Sequence, residues 1–206
     1  MTRGRFIVLE GGEGGGKSTQ ARRLSAHLEG AGRRVLLTRE PGGSPLAEAI
    51  RALVLGSWPE GVDATTELLL IFAARAAHLQ ATIRPALEAG IDVICDRFVD
   101  ASYAYQGAGR GLGAAPVALL EQLVLGDLRP DRVLVLDVAP ELGMQRIAER
   151  GDNNRFDAES IAFMQRVRAA YLARAAAAPE RYAVIDAARD VDAVAAELVA
   201  IVEALR

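Results

Sequence analysis

Five short runs of this chain are apolar at nearly every position: Phe6–Glu10, Arg34–Thr38, Asp92–Asp96, Arg132–Val138 and Tyr182–Asp186. Each is rich in Val, Ile and Leu and shows little alternation with polar residues. Strands of a parallel sheet covered on both faces read this way. Between them lie stretches with helical spacing: Lys17–Ala31, Pro45–Leu55, Thr65–Ala89, Ala114–Leu125, Pro140–Glu149, Asp157–Ala177 and Val191–Leu205. The alternation predicts an α/β fold, a five-stranded parallel sheet flanked by helices with right-handed crossovers. Glu40–Ser44, Gly56–Asp63, Gly107–Gly113 and Arg150–Arg155 read as loops. No repeat or linker divides residues 1–206, so a single domain is expected. Ligands of an open parallel sheet bind beyond the C-terminal ends of the strands. The residues just after each strand are therefore the ones that carry chemistry.

Composition narrows the classes. Hydrophobic residues make up 51% of the 206 and charged residues 25%, enough to bury a core and unlike a disordered chain. The net charge of -3 argues against a nucleic-acid binder, which carries a basic surplus. The apolar run Leu68–Ala74 falls short of the ~18 residues of a membrane span. Phe6–Leu9, cut off by Glu10, is not a signal peptide. One cysteine, Cys95, makes no internal disulfide, so a reducing cytoplasm is expected. Of 24 basic residues only Lys17 is a lysine.

That lysine lies in Gly11-Gly12-Glu13-Gly14-Gly15-Gly16-Lys17-Ser18, a full match to G-x-x-x-x-G-K-[ST] between a strand and a helix. The match predicts a P-loop NTPase, with Gly11 to Thr19 as the expected ATP-binding residues. Glycines let backbone amides form a concave nest, and the helix that follows presents its positive end to phosphate. Lys17 supplies a compact ammonium for the β- and γ-phosphates, and Ser18 a ligand for Mg²⁺. Arg does not replace that point charge. GTPase base-reading (N-K-x-D) and D-x-x-G motifs do not occur, which points to a small nucleotide kinase.

Further along stand Thr38-Arg39-Glu40-Pro41-Gly42-Gly43, Asp96-Arg97-Phe98 and Ser102-Tyr103-Ala104-Tyr105-Gln106-Gly107. With the P-loop, these resemble the T-R-E-P-G-G, D-R-[YFH] and S-x-x-Y-Q-G elements of thymidylate kinases of the bacterial kind. The resemblance covers about Phe6 to Tyr171. It implies phosphoryl transfer from ATP to dTMP, giving ADP and dTDP for the supply of dTTP. It implies that Arg39, Arg97 and Arg51 hold the acceptor 5′-phosphate, for which forked guanidinium donors suit a dianion. Asp96 would bind Mg²⁺ directly or through water, and Glu13 would contact the sugar 3′-hydroxyl and help organise the metal. Arg75 would donate to thymine O4, Ser102 and Gln106 would read the N3 and carbonyl edge, and Tyr105 would crowd the 2′ position. Relatives often carry a stacking Phe four residues before that Arg. Here Ile71 holds the slot and Phe72, three before, is the expected stacking residue.

Residues 150–157, with Arg150 and Arg155, resemble the family's lid over the donor phosphates. Gly14 and Gly15 offer no side chain where some relatives place a catalytic Arg in the P-loop, so the lid arginines are the expected catalytic ones, with Lys17 and Glu13. The resemblance also implies a homodimer, with ATP and dTMP as partners and no membrane or nucleic acid. His27, His78, Cys95 and Trp58 read as ordinary structural or surface residues. Two other readings remain at this point: a kinase for another nucleoside monophosphate, and an ATP-dependent switch. A switch has no reason to line its crevice with Arg39, Arg51 and Arg97.

Overall fold

The computed structural model describes residues 3–150, 156 and 159–205, without the side chain of Arg150. Strands β1 (Phe6–Glu10), β2 (Val35–Arg39), β3 (Asp92–Asp96), β4 (Arg132–Asp137) and β5 (Tyr182–Asp186) form one parallel sheet in the order β2-β3-β1-β4-β5. The α/β fold expected from the apolar runs is the fold observed. Register aligns the chemistry. Arg39 and Leu9 both pair with Asp96, so Arg39, Asp96 and Glu10 come out along one edge of the sheet.

Side chains alternate across a strand, and here both faces are covered. Phe6 and Val8 face one apolar core, Ile7 and Leu9 the other, and all four are buried. This explains why β1 shows no polar alternation. The first core packs beneath α3 (Ala64–His78), α4 (Arg84–Glu88), α6 (Ala114–Leu125) and α8 (Ile161–Ala177). The second packs beneath α1 (Lys17–Gly30) and α9 (Val191–Glu203). The remaining helices are α2 (Pro45–Leu55), α5 (Val99–Ser102) and α7 (Pro140–Arg150).

Three local departures from the sequence pattern matter. The stretch expected as one helix over 65–89 is broken by a π-helical turn, Leu79–Ile83, between α3 and α4. Pro85 follows it; proline has no N–H and clashes with the carbonyl four residues back, which a wider turn relieves. The segment Tyr103–Gly109 is also π-helical, although its glycines make residues 107–109 read as loop. Finally, α8 begins at Ile161, with the Ser160 hydroxyl accepting the Phe163 N–H at 3.2 Å; Asp157, where the helical pattern starts, lies outside the described residues.

The P-loop and α7 touch through bare backbone. A Cβ on Gly14, at φ +70°, would lie 2.2 Å from the Gly143 carbonyl oxygen, and one on Gly143 would lie 2.4 Å from that of Glu13. Two glycines far apart in sequence therefore let α7 sit directly on the phosphate loop.

Candidate active site

A cavity of about 340 Å³ opens along the strand ends. Its lining brings together Glu13, Lys17, Ser18 and Thr19 of the P-loop with Arg39, Arg51, Arg75, Arg97, Ser102, Tyr105 and Gln106. Residues from six separate stretches of chain thus converge where the sequence places them on one crevice.

At the phosphate-loop end, Lys17 is buried and donates to the Gly12 carbonyl at 2.7 Å. Burial and the Arg97 guanidinium push its ammonium below its ordinary value, against the pull of Glu13, Asp96 and Glu10. The Ser18 hydroxyl donates to Asp96 Oδ2 at 2.5 Å. Ser18 and Asp96 place two hard oxygen donors side by side, a set that fits Mg²⁺, which takes few protein ligands and keeps waters and substrate phosphates. No group of three or more His, Cys, Asp or Glu side chains with metal-site geometry occurs among the described residues.

Next along the crevice is a cluster of arginines. Arg97 is the one non-glycine residue at positive φ among the described residues (φ 71°). That conformation is uncommon and concentrates at functional sites. It turns the guanidinium back over β1, where Nη2 donates to Glu13 Oε1 at 2.6 Å and Nη1 to the Gly11 carbonyl at 3.0 Å. Tyr105 donates to the same Glu13 oxygen at 2.9 Å, and its ring lies beneath the Arg97 guanidinium. Burial acts to raise the Glu13 carboxyl, but Arg97, Lys17 and the Tyr105 hydroxyl outweigh it and hold it at about 2. Arg51 donates to the Pro41 carbonyl. Burial and neighbouring Arg39 push Arg51 below its ordinary value; Glu48 opposes this and Arg97 adds to it. Three cations this close make a site that gains from an anion.

At the far end Arg75 is 1% exposed. Its Nε donates to Glu40 Oε2 at 2.7 Å, Nη1 to Ser102 Oγ at 3.0 Å and Nη2 to the Phe98 carbonyl at 2.9 Å. Five N–H groups with three partners leave two donors for a ligand. Phe72 does not stand where the sequence reading put it. It packs in the core under α3, with the Arg75 guanidinium 4.5 Å from its ring centre, while Ile71 lines the cavity. Ile71 and Arg75 are one helical turn apart on the crevice side, and Phe72 is rotated toward the sheet. The cavity's aromatic residues are Phe98, Tyr105 and Phe156. Arg155 and the side chain of Arg150 lie outside the described residues.

Several contributors carry no motif signal. Glu10 reads in the sequence only as the end of an apolar run. It is fully buried and accepts the N–H groups of Phe98 and Ala101 and the hydroxyl of Tyr171. Tyr171 in turn accepts from Arg97 at 3.3 Å. A second cavity of about 340 Å³ lies on the other side of the P-loop, lined by Gln20, Arg146, Ile147, Arg189 and Val191 among others. Arg146 donates to the Ala187 carbonyl there.

A phosphate-binding loop and a caged arginine cluster on one parallel sheet define a P-loop phosphotransferase with a second, anionic substrate. The chain belongs to the thymidylate kinase family, whose profile matches residues 9–198. It is 58% identical to a thymidylate kinase of Pseudomonas fluorescens over 186 residues, 90% of this chain and 89% of that one. It is 57% identical to one from Pseudomonas putida, covering 93% and 91%. The crystal structure of thymidylate kinase from Ehrlichia chaffeensis superposes with a TM-score of 0.78 at 34% identity, covering 98% of this chain and 99% of that one. No helix among the described residues is long and apolar enough to cross a membrane.

Burial, with Asp100 adding to it, raises the Glu10 carboxyl to about 7, against the pull of Arg97 and the N–H of Phe98. The folded state therefore holds a proton that the unfolded chain, at an ordinary value of 4.5, has released. The stability linked to this proton is complete below that value and is lost as pH rises through the folded one. Glu10→Gln removes this dependence. The melting temperature of the wild type minus that of the variant should fall between about pH 5 and about pH 8; a constant difference would contradict the assignment.

Proposed function

We propose that this chain transfers the γ-phosphoryl group of ATP to the 5′-phosphate of dTMP, giving ADP and dTDP for the supply of dTTP. The observation that carries this reading is a single crevice with Lys17 at one end, Arg39, Arg51 and Arg97 in the middle, and Arg75 with Gln106 at the other. The P-loop amides and Lys17 hold the donor phosphates. The second cavity seats the donor base, beside Gln20, whose buried Oε1 has no hydrogen-bond partner among the described residues. Arg39, Arg51 and Arg97 hold the acceptor phosphate facing the γ-phosphorus. The attacking oxygen is already ionised at neutral pH, so the chemistry needs alignment and charge neutralisation more than a general base. Ser18 and Asp96 would hold Mg²⁺, directly or through water, and the ion would neutralise charge on the β- and γ-phosphates. Arg150 and Arg155 are the lid candidates for charge on the transferring group.

Glu13 takes the sugar 3′-hydroxyl, and Tyr105, tied to it, crowds the 2′ position. Arg75 donates to O4 of the base, with Ser102 and Gln106 beside it. The thymine methyl adds only ~1–3 kcal/mol over dUMP. Cytosine presents an amino donor to the donors of Arg75 and is rejected more strongly. The buried free thiol of Cys95 fits a reducing cytoplasm.

The same reading includes a homodimer. Leu119 and Leu123, one turn apart on α6, are 72% and 78% exposed, and Leu69 on neighbouring α3 is 53% exposed. A second copy would cover this apolar face. Sedimentation should give a dimer for the wild type and a monomer for Leu119→Glu/Leu123→Glu; a monomeric wild type would refute this part.

ADP release should be measured with MgATP and dTMP, dUMP, dCMP, dGMP, UMP or AMP. The expected order is dTMP first, dUMP roughly 10–200-fold lower in kcat/KM, and little with the others. Preference for another monophosphate would discard the base-reading residues. ATP binding without acceptor-dependent ADP would make the protein a switch.

A further inference from the structure

Gln106 lies on the π-helical turn after α5, is 1% exposed, and lines the main cavity. Its Nε2 donates to Glu67 Oε1 at 2.7 Å. Glu67 is a carboxylate set on the apolar side of α3, fully buried. Arg110 closes on it, with Nε 3.3 Å from both oxygens and Nη2 3.2 Å from Oε2. Arg110 is itself held by Glu159 at 2.6 Å and lies over the Phe163 ring.

A side-chain amide has a donor end and an acceptor end, and its orientation follows from its neighbours. A carboxylate paired to a guanidinium has only acceptors. It therefore fixes the amide nitrogen of Gln106 toward α3. The atom left for the cavity is Oε1, which has no hydrogen-bond partner among the described residues. An acceptor held there matches a base that carries a ring N–H, such as thymine or uracil. It opposes cytosine, whose N3 is itself an acceptor.

We propose that Glu67 is a specificity-determining positioning residue: it locks the Gln106 amide oxygen-inward, so that the crevice selects imide bases over cytosine. This rests on the reading of Gln106 as a residue that faces the base.

The test is the kcat/KM for dTMP and for dCMP in three variants. Glu67→Gln preserves the shape but can pair with either end of the amide, so Gln106 is free to turn. The dTMP-to-dCMP ratio should fall by about tenfold or more, with the dCMP value rising; damage to the fold would lower both. Arg110→Lys keeps a cation against Glu67 while loosening the packing around it, and should keep the ratio near wild type. Gln106→Ala should lower the ratio at least as far, with Arg75 keeping its own share of the discrimination. If Glu67→Gln keeps the ratio while Gln106→Ala lowers it, the positioning role is overturned and the base-reading role stands. If neither changes it, the base-reading role fails and the proposal with it. An equal loss in Arg110→Lys assigns the effect to loosened packing and also overturns it. Should Glu67→Gln not fold, the wild type decides: NMR contacts of the Gln106 side-chain amide to α3 should persist when dTMP binds, and an amide that turns toward the base refutes the lock.

Discussion

The ion pair between Glu13 and Arg97 joins the two halves of this crevice, and most of the site's electrostatics follow from it. A buried charge is tolerated only when paired and hydrogen-bonded. Glu13 belongs to the glycine-rich phosphate-loop motif after β1, and Arg97 follows the neighbouring strand, in a backbone conformation few side chains adopt. Their pairing fixes the spacing between the phosphate loop and the arginine cluster. It also removes the repulsion that a carboxylate inside a phosphate loop would otherwise exert. Fixed dipoles and charges that need no reorganisation are how phosphoryl transfer is accelerated where little covalent help is available.

The same solution recurs along the cavity. Arg75 is held by Glu40, which also contacts His78, while His78 hydrogen-bonds Thr38 on β2. Gln106 is held by Glu67. In each case a buried carboxylate from one element holds a donor group of another and so sets which way that side chain faces. Parallel-sheet register makes this possible, because Arg39 and Asp96 end side by side and the strand edge acts as a common baseline. Glu10 extends the pattern inward, tying the turn after β3 and the hydroxyl of Tyr171 on α8 to β1.

What the sequence reveals and what it hides have physical causes. The strands are legible because burial on both faces leaves runs such as Phe6–Leu9 without polar interruption. The phosphate loop is legible because its chemistry depends on fixed local spacing. Arg75, Arg97 and Gln106 become candidates through the family resemblance, and the structure gathers them into one cavity. The carboxylates that orient them are not legible, because Glu40–Arg75 and Glu67–Gln106 pair across 35 and 39 residues. The π-helical turns escape a search for 3.6-residue periodicity, and the second begins only a few residues before a glycine-rich stretch. Phe72 and Ile71 are adjacent in sequence, and only the rotation of α3 shows which one faces the cavity. The contact between Gly14 and Gly143 is a meeting of backbones that carries no side-chain signature.

On the proposed function, this crevice is set for its acceptor by charge pairs already in place. A crystal structure with dTMP and a non-hydrolysable ATP analogue tests it most directly. The dTMP phosphate should lie among Arg39, Arg51 and Arg97 and the base against Arg75, with the Glu13–Arg97 and Glu40–Arg75 pairs intact. A base bound elsewhere, or arginines that leave their carboxylates to reach the nucleotide, would contradict it.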